Sequence, residues 1–151
     1  MQIRSRLVKT QEPEIVRFEL PARYTYLHLL SDCIADMLQL VEDVVEIEAV
    51  IYNIQLAVHE ACTNIINHAY NHKSNETIHV TMTLTFDPPQ LTVELQDRGN
   101  PFDSATYTSP NLEEVQVHGY GLFLINNLMD TVTYTSTPGR NEWCLVKNVT
   151  A

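Results

Sequence analysis

The sequence predicts an α/β (α+β) two-layer sandwich, a mostly antiparallel sheet with helices on one face, and three observations point to it. The chain has 151 residues, within the roughly 100–200 of one domain and enough to bury about two-thirds of its unfolded surface. Hydrophobic residues make up 44% and charged residues 19%, which matches ordinary globular usage and excludes extended disorder. The apolar periodicity runs β-α-α-β-β-loop-α-β-β, without the βαβ alternation that builds a parallel sheet.

Ile15 to Leu20 alternates, with Val16, Phe18 and Leu20 on one side, and reads as a first strand ended by Pro21. From about Tyr24 to Leu40, Leu27, Leu30, Ile34, Met37 and Leu38 recur at three- and four-residue steps, the pattern of an amphipathic helix. Glu46 to Tyr70 predicts a longer helix lined by Val50, Ile51, Ile54, Val58, Ala61, Cys62, Ile65 and Ala69, stopped by the polar tract Asn71 to Asn75. Ile78–Phe86 and Leu91–Asp97 alternate at period two around Asp87-Pro-Pro-Gln90, a hairpin turn. Gly99 to Val117 has no sustained periodicity, and a loop of that length inside a compact domain is uncommon unless it is a functional lid. A short helix from near Gly119 to near Met129 follows, then a closing hairpin of Thr131–Thr137 and Trp143–Val149 around Pro138-Gly-Arg140. No repeat or linker argues for a second domain, so residues 1–151 are expected to form one domain with a core from about 15 to 149.

The formal net charge is −10, which opposes nonspecific phosphate-backbone binding and argues against a nucleic-acid partner. From Tyr24 to His72 there is no Lys or Arg, while Asp32, Asp36, Glu42, Asp43, Glu46, Glu48 and Glu60 all occur. That stretch is either a solvated acidic face or a docking surface for a basic protein. No apolar run approaches the roughly 18–20 residues of a membrane span, and the polar start lacks the apolar stretch of a secretory signal, so a soluble cytoplasmic protein is expected. Cys33, Cys62 and Cys144 have no C-x-x-C spacing and are expected to be reduced core thiols. The seven Tyr form no stacking stripe that sequence spacing reveals.

Glu60, Asn64, Asn67 and His68 fall at steps of four, three and one on a helix otherwise rich in Ala, Ile and Val. Such a stripe either faces water or serves a site. Asp97 shares the period-two face of Leu91, Val93 and Leu95, so it should end a strand on the side facing the helices. A carboxylate placed there shifts its pKa, caps a turn through Arg98-Gly99, or accepts hydrogen bonds from a ligand. The chain has only four Gly, and three of them, Gly99, Gly119 and Gly121, fall in two short segments. Gly119-Tyr-Gly121 opens the third helix, where bare backbone lets an anion approach N–H groups and the positive end of the dipole, although a hinge or cap explains it equally. A P-loop is excluded, because no G-x-x-x-x-G-K-[ST] occurs and Lys9, Lys73 and Lys147 lie outside the glycine segments. Magnesium would then have to neutralise bound phosphates, and Asn64 offers an oxygen of suitable hardness. His59, Glu60 and His68 do not make H-E-x-x-H, which ranks a metal-dependent hydrolase far below the other readings.

Taken in order, Glu60-Ala-Cys-Thr-Asn64-Ile-Ile-Asn-His68-Ala-Tyr70, Asp97-Arg-Gly-Asn-Pro-Phe-Asp103 and His118-Gly-Tyr-Gly-Leu-Phe-Leu-Ile125 resemble the N, G1 and G2 boxes of the GHKL ATPase superfamily. Within it the chain looks most like the anti-sigma factor serine kinases of the RsbW and SpoIIAB type. The likeness spans about Ile15 to Val149 and includes Leu20-Pro-Ala-Arg23. It implies a Bergerat-type histidine-kinase-like ATPase domain that binds ATP and Mg²⁺. The nucleotide-binding set it implies is Asn64, Asn67, His68, Asp97, Gly99, Phe102, His118, Gly119, Tyr120, Gly121 and Leu122, with Asp97 taking the adenine amino group and Asn64 the metal. Glu60 would be the general base, taking a proton from a serine of an antagonist protein.

The resemblance further implies a homodimer in a partner-switching pathway of transcription regulation. The domain would sequester a sigma factor until an anti-sigma antagonist of the STAS type competes for it. Two departures stand out. Between Arg98 and Arg140 there is no Lys or Arg, whereas kinase members often carry a basic residue near the G2 box, and Trp143-Cys144 stands where many relatives place a threonine near the adenine. The lid's lack of basic residues motivates the alternative function, an ATP-binding or nucleotide-independent partner-binding regulator that transfers no phosphate.

Overall fold

Ile78, Val80, Met82 and Leu84 bury one side of a strand while Thr81, Thr83 and Thr85 line the other, and the neighbouring strands repeat this division. The computed structural model describes residues 11–73, 75–102 and 120–149. Within them β1 (Glu14–Pro21), β2 (Thr77–Phe86), β3 (Pro89–Asp97), β4 (Thr131–Thr137) and β5 (Arg140–Asn148) form one antiparallel sheet in the order β1-β2-β3-β5-β4. The register stacks inward residues in rows across all five strands. Phe18, Val80, Leu95, Trp143 and Tyr134 make one row, and Val16, Met82, Val93, Leu145 and Val132 the next. A slip of one residue would turn each row out to solvent, which is why the hydrophobic pattern specifies the pairing.

The helices cover this one face. A 3₁₀ turn (Tyr24–Tyr26) leads into α1 (Leu27–Leu38), which buries Leu27, Leu30, Ile34, Met37 and Leu38. α2 (Ile47–Asn64) lies between α1 and α3 (Tyr120–Leu128), burying Ile51, Ile54, Ala57, Val58, Ala61 and Cys62. The two-layer architecture expected from the periodicity is therefore present. No helix among the described residues is long and apolar enough to cross a membrane.

Four details differ from expectation. The first helix ends at Leu38 and not near Leu40, after beginning as a 3₁₀ turn. The second leaves α-geometry at Asn64 and continues as a π-helical turn, Ile65–Ala69, in which the Tyr70 N–H reaches the Ile65 carbonyl at 2.9 Å. β5 starts at Arg140, three residues before the expected Trp143, because Asn141 takes an inward position where an apolar residue would have continued the alternation. Only Cys62 is a core thiol. Burial pushes its pKa up to about 12, whereas Cys33 and Cys144 are half-buried, and Cys144 lies on the sheet face away from the helices, opposite Glu94 and Thr133. Most of the expected lid, Asp103 to Val117, lies outside the described residues.

Leu95→Ala removes a fully buried side chain from the central row and should cost about 2–5 kcal/mol in urea unfolding. Glu94→Ala, on the opposite face of the same strand, should stay within about 0.5 kcal/mol of wild type.

Candidate functional site

The inward row nearest the ends of β3 and β5 is polar, unlike those behind it: Asp97, Asn141 and Ser136 stand opposite one another across three strands. Asp97 is 2% exposed and Asn141 2% exposed. Asn141 Nδ2 donates to Asp97 Oδ1 at 2.9 Å and to the Gly99 carbonyl at 2.9 Å, while the Ser136 hydroxyl donates to Asn141 Oδ1 at 2.7 Å. The Gly99 N–H closes an Asx turn onto the same Asp97 Oδ1 at 2.9 Å. The turn-capping role expected for Asp97 is thus real, but it uses one oxygen. Among the described residues no donor bonds to Oδ2, which leaves a carboxylate acceptor for a ligand. Burial raises the Asp97 pKa above its ordinary value, and the bonds from Asn141 and Gly99 oppose that rise.

The carboxylate belongs to a cleft of about 280 Å³ lined by Asn64, Ile65, His68, Ala69, Asp97, Asn100, Pro101, Phe102, Tyr134 and Trp143. Phe102, Tyr134 and Trp143 form an aromatic wall, with centroids 5.8 Å apart for Phe102–Tyr134, 5.6 Å for Phe102–Trp143 and 4.8 Å for Tyr134–Trp143. The Tyr134 hydroxyl accepts from the Phe102 N–H at 2.7 Å and ties Phe102 to β4. Apolar walls around one buried acceptor recognise a flat heteroaromatic ring bearing an amino donor.

The π-helical turn shapes the opposite wall. By loosening the helix it directs the Ala69 carbonyl outward, where the Asn100 N–H donates to it at 2.8 Å. Gly99 packs so closely there that a Cβ would lie 2.3 Å from the Ala69 oxygen, so no other residue fits. Tyr70, buried, ties the same corner together. Its hydroxyl donates to the Thr77 carbonyl at 2.8 Å and accepts from the Arg98 N–H at 2.9 Å.

Glu60 and Asn64 occupy the far end of the site, half-buried beneath α3. A Cβ built at Gly121 would come 3.0 Å from Glu60 Oε2 and 3.6 Å from Asn64 Oδ1, so the bare first turn of α3 lies directly on both side chains. This cradle and the Asp97 acceptor fit a nucleotide whose phosphates lie toward α3. Among the described residues no group of three or more His, Cys, Asp and Glu could hold a metal. A divalent ion would therefore depend on Asn64 and on oxygens from the ligand itself.

The expected residues are not all brought to one place. Asn64, His68, Asp97 and Phe102 line the cleft, Gly99 supports its floor, and Glu60, Gly121 and the start of α3 at Tyr120 lie beside it. Leu122 is half-buried in α3. The π-helical turn takes Asn67 out of line with Glu60 and Asn64. Its side-chain oxygen accepts from the Tyr24 hydroxyl, and it is absent from the cleft lining. His118 and Gly119 lie outside the described residues. Sequence spacing missed Asn141, Ser136, Tyr134 and Trp143 as site residues. Extending the period-two pattern back from Leu145 through Trp143 would have found Asn141, and pairing the two strands of the closing hairpin would have joined Trp143 to Tyr134.

Asn141→Ala should push the Asp97 pKa further up, read by carboxyl carbon-13 NMR titration, because it deletes the bond that most opposes the rise. The same variant should lose about 1–3 kcal/mol of stability, the usual cost of breaking a buried polar pair.

Residues 20–147 match the family described as Histidine kinase-like ATPase domain. The chain is 29% identical over 145 residues to a Serine-protein kinase RsbW of Halalkalibacterium halodurans, covering 87% of this chain and 82% of that one. A Serine-protein kinase RsbW of Bacillus velezensis is 34% identical over 97 residues, 59% of each chain. Among solved structures, the RsbU and RsbW domains of a Mycobacterium tuberculosis protein align with a TM-score of 0.62 at 18% identity, over 90% of this chain and 32% of that one. One from the SiaB–SiaC complex of Pseudomonas aeruginosa aligns at 0.57 with 16% identity, over 87% and 88%. These two share the fold. The chain accordingly belongs to the histidine kinase-like ATPase domain family, the GHKL superfamily with its Bergerat fold, and is similar within it to RsbW serine-protein kinases.

Proposed function

We propose that the protein is an anti-sigma regulatory factor that phosphorylates a serine of a STAS-type antagonist with ATP and sequesters a sigma factor in a cytoplasmic partner-switching pathway. The observation that carries the nucleotide part is the Asp97 carboxylate. It is buried, clamped through Oδ1 by Asn141 and Gly99, and bonded at Oδ2 by no donor among the described residues, at the base of an aromatic cleft. An adenine amino group supplies the missing donor, and the Phe102–Tyr134–Trp143 wall excludes water from it. Family membership and the similarity to RsbW kinases support phosphoryl transfer.

Asn64 Oδ1 is the protein oxygen positioned to hold Mg²⁺, which would neutralise phosphate charge there. Glu60 would accept the proton of the attacking serine hydroxyl as the γ-phosphoryl group passes to the serine oxygen and ADP departs. The adjacent first turn of α3 directs the positive end of its dipole at the developing charge. Positioning and charge neutralisation carry most of the work in such transfers. Asp32, Asp36, Glu42, Asp43, Glu46 and Glu48 are all exposed on α1, the α1–α2 connection and the first turn of α2, and would suit a basic partner. Homodimerisation belongs to the same proposal.

Glu60→Ala should keep ATP binding in calorimetry and lose transfer to an antagonist by a factor of about 10²–10⁴, whereas Asp97→Asn should abolish binding. Full transfer by Glu60→Ala would remove Glu60 from the reaction and favour a regulator that binds without catalysing. Because ligand recognition needs the Asp97 carboxylate, ATP affinity should fall as pH drops through its raised pKa. Stability should move oppositely, decreasing as pH rises through that window, since the native state there holds a proton that the unfolded chain has released. Charge reversal at Asp32, Asp36 and Glu42 should weaken sigma-factor binding and flatten its salt dependence; unchanged affinity would dismiss the acidic face as the docking surface.

A further inference from the structure

We propose a second binding site on the side of the sheet away from the helices, a cleft lined by His79, Gln96, Arg98, Gly139 and Arg140 that docks an acidic peptide segment of a protein partner. Arg98 follows the last residue of β3 and Arg140 opens β5, and both line this cleft. Like charges brought to one cleft repel, and a chain of net charge −10 has few cations to place together. Yet Arg98 joins no ion pair among the described residues, and the guanidinium of Arg140 meets Glu142 only at 3.5 Å with its own side chain 59% exposed. Such an exposed contact is weak and yields readily to a better-placed carboxylate.

Each guanidinium offers a planar fork of donors suited to bidentate recognition of a carboxylate. The Gln96 amide and the His79 ring supply further polar contacts, the latter only 3.9 Å from Glu19 and so too far for a hydrogen bond. At the rim Gly139 has φ +77°, and a Cβ there would touch nothing within 4 Å, so the turn leaves the entrance open. The cleft, about 410 Å³, is too large to be filled by one small ion. Asp97 also borders this cleft but is 2% exposed, and the Arg98 N–H is held by Tyr70. The proposal does not rest on the nucleotide assignment.

The test is fluorescence anisotropy of the full chain with a dye-labelled hexaglutamate peptide. Saturable, salt-sensitive binding is expected, weakened about tenfold or more by Arg98→Gln with Arg140→Gln and unchanged by Lys147→Gln, which lies near Asp130 away from the cleft. A circular dichroism spectrum matching wild type confirms that the double variant is folded. No binding by the wild type, or equal loss in Lys147→Gln, overturns the site. Displacement of the peptide by millimolar inorganic phosphate overturns the peptide occupant and assigns the cleft to a free anion.

Discussion

A carboxylate buried at the end of a central strand constrains everything around it. Asp97 lies in the same inward rank as Leu91, Val93 and Leu95, where an unpaired charge would cost several kcal/mol. The cost is offset by two donors on one oxygen, the Asn141 amide and the Gly99 N–H, and the second oxygen faces the cleft. Asn141 in turn is held by Ser136, so the three-strand row is a directional chain of hydrogen bonds that ends on Asp97. In a low-dielectric setting such chains hold their members rigidly, and this one fixes the plane of the carboxylate.

The backbone around it is arranged to the same end. The helix ends as a π-helical turn, and the Ala69 carbonyl at its last turn, free of an intrahelical partner, accepts from the Asn100 N–H. Gly99 is the only residue that fits against that carbonyl, and Tyr70 connects the corner to β2 through Thr77. Site geometry and fold stability are thus held by one set of contacts at the junction of α2, β2 and β3. The direct side-chain support of Asp97 among the described residues comes from Asn141 on β5.

Charge is distributed unequally over this frame. Exposed carboxylates are concentrated along the chain on α1, the α1–α2 connection and the first turn of α2, while Arg98 and Arg140 line one cleft. A molecule with separate acidic and basic surfaces presents different partners with different fields, which steers association and rejects mismatched partners more than it adds affinity.

Elements whose residues all bury apolar groups were legible in sequence. The alternation of β2 and β3 and the three- and four-residue steps of α1 and α2 specify the sheet, its helical cover and the inward placement of Asp97, because periodicity reports directly which face leaves water. Gly99, Glu60 and Asn64 were likewise visible as residues out of keeping with their surroundings. The tertiary structure alone decided what Asp97 bonds to, since Asn141 and Ser136 are distant in sequence and become neighbours only through strand register. It also decided the displacement of Asn67, because a π-helical turn changes the angular step that spacing arguments assume, and the aromatic wall, whose members come from three separate segments. Local pattern encodes which way a side chain points. Which side chain it meets is set by the packing of the whole chain.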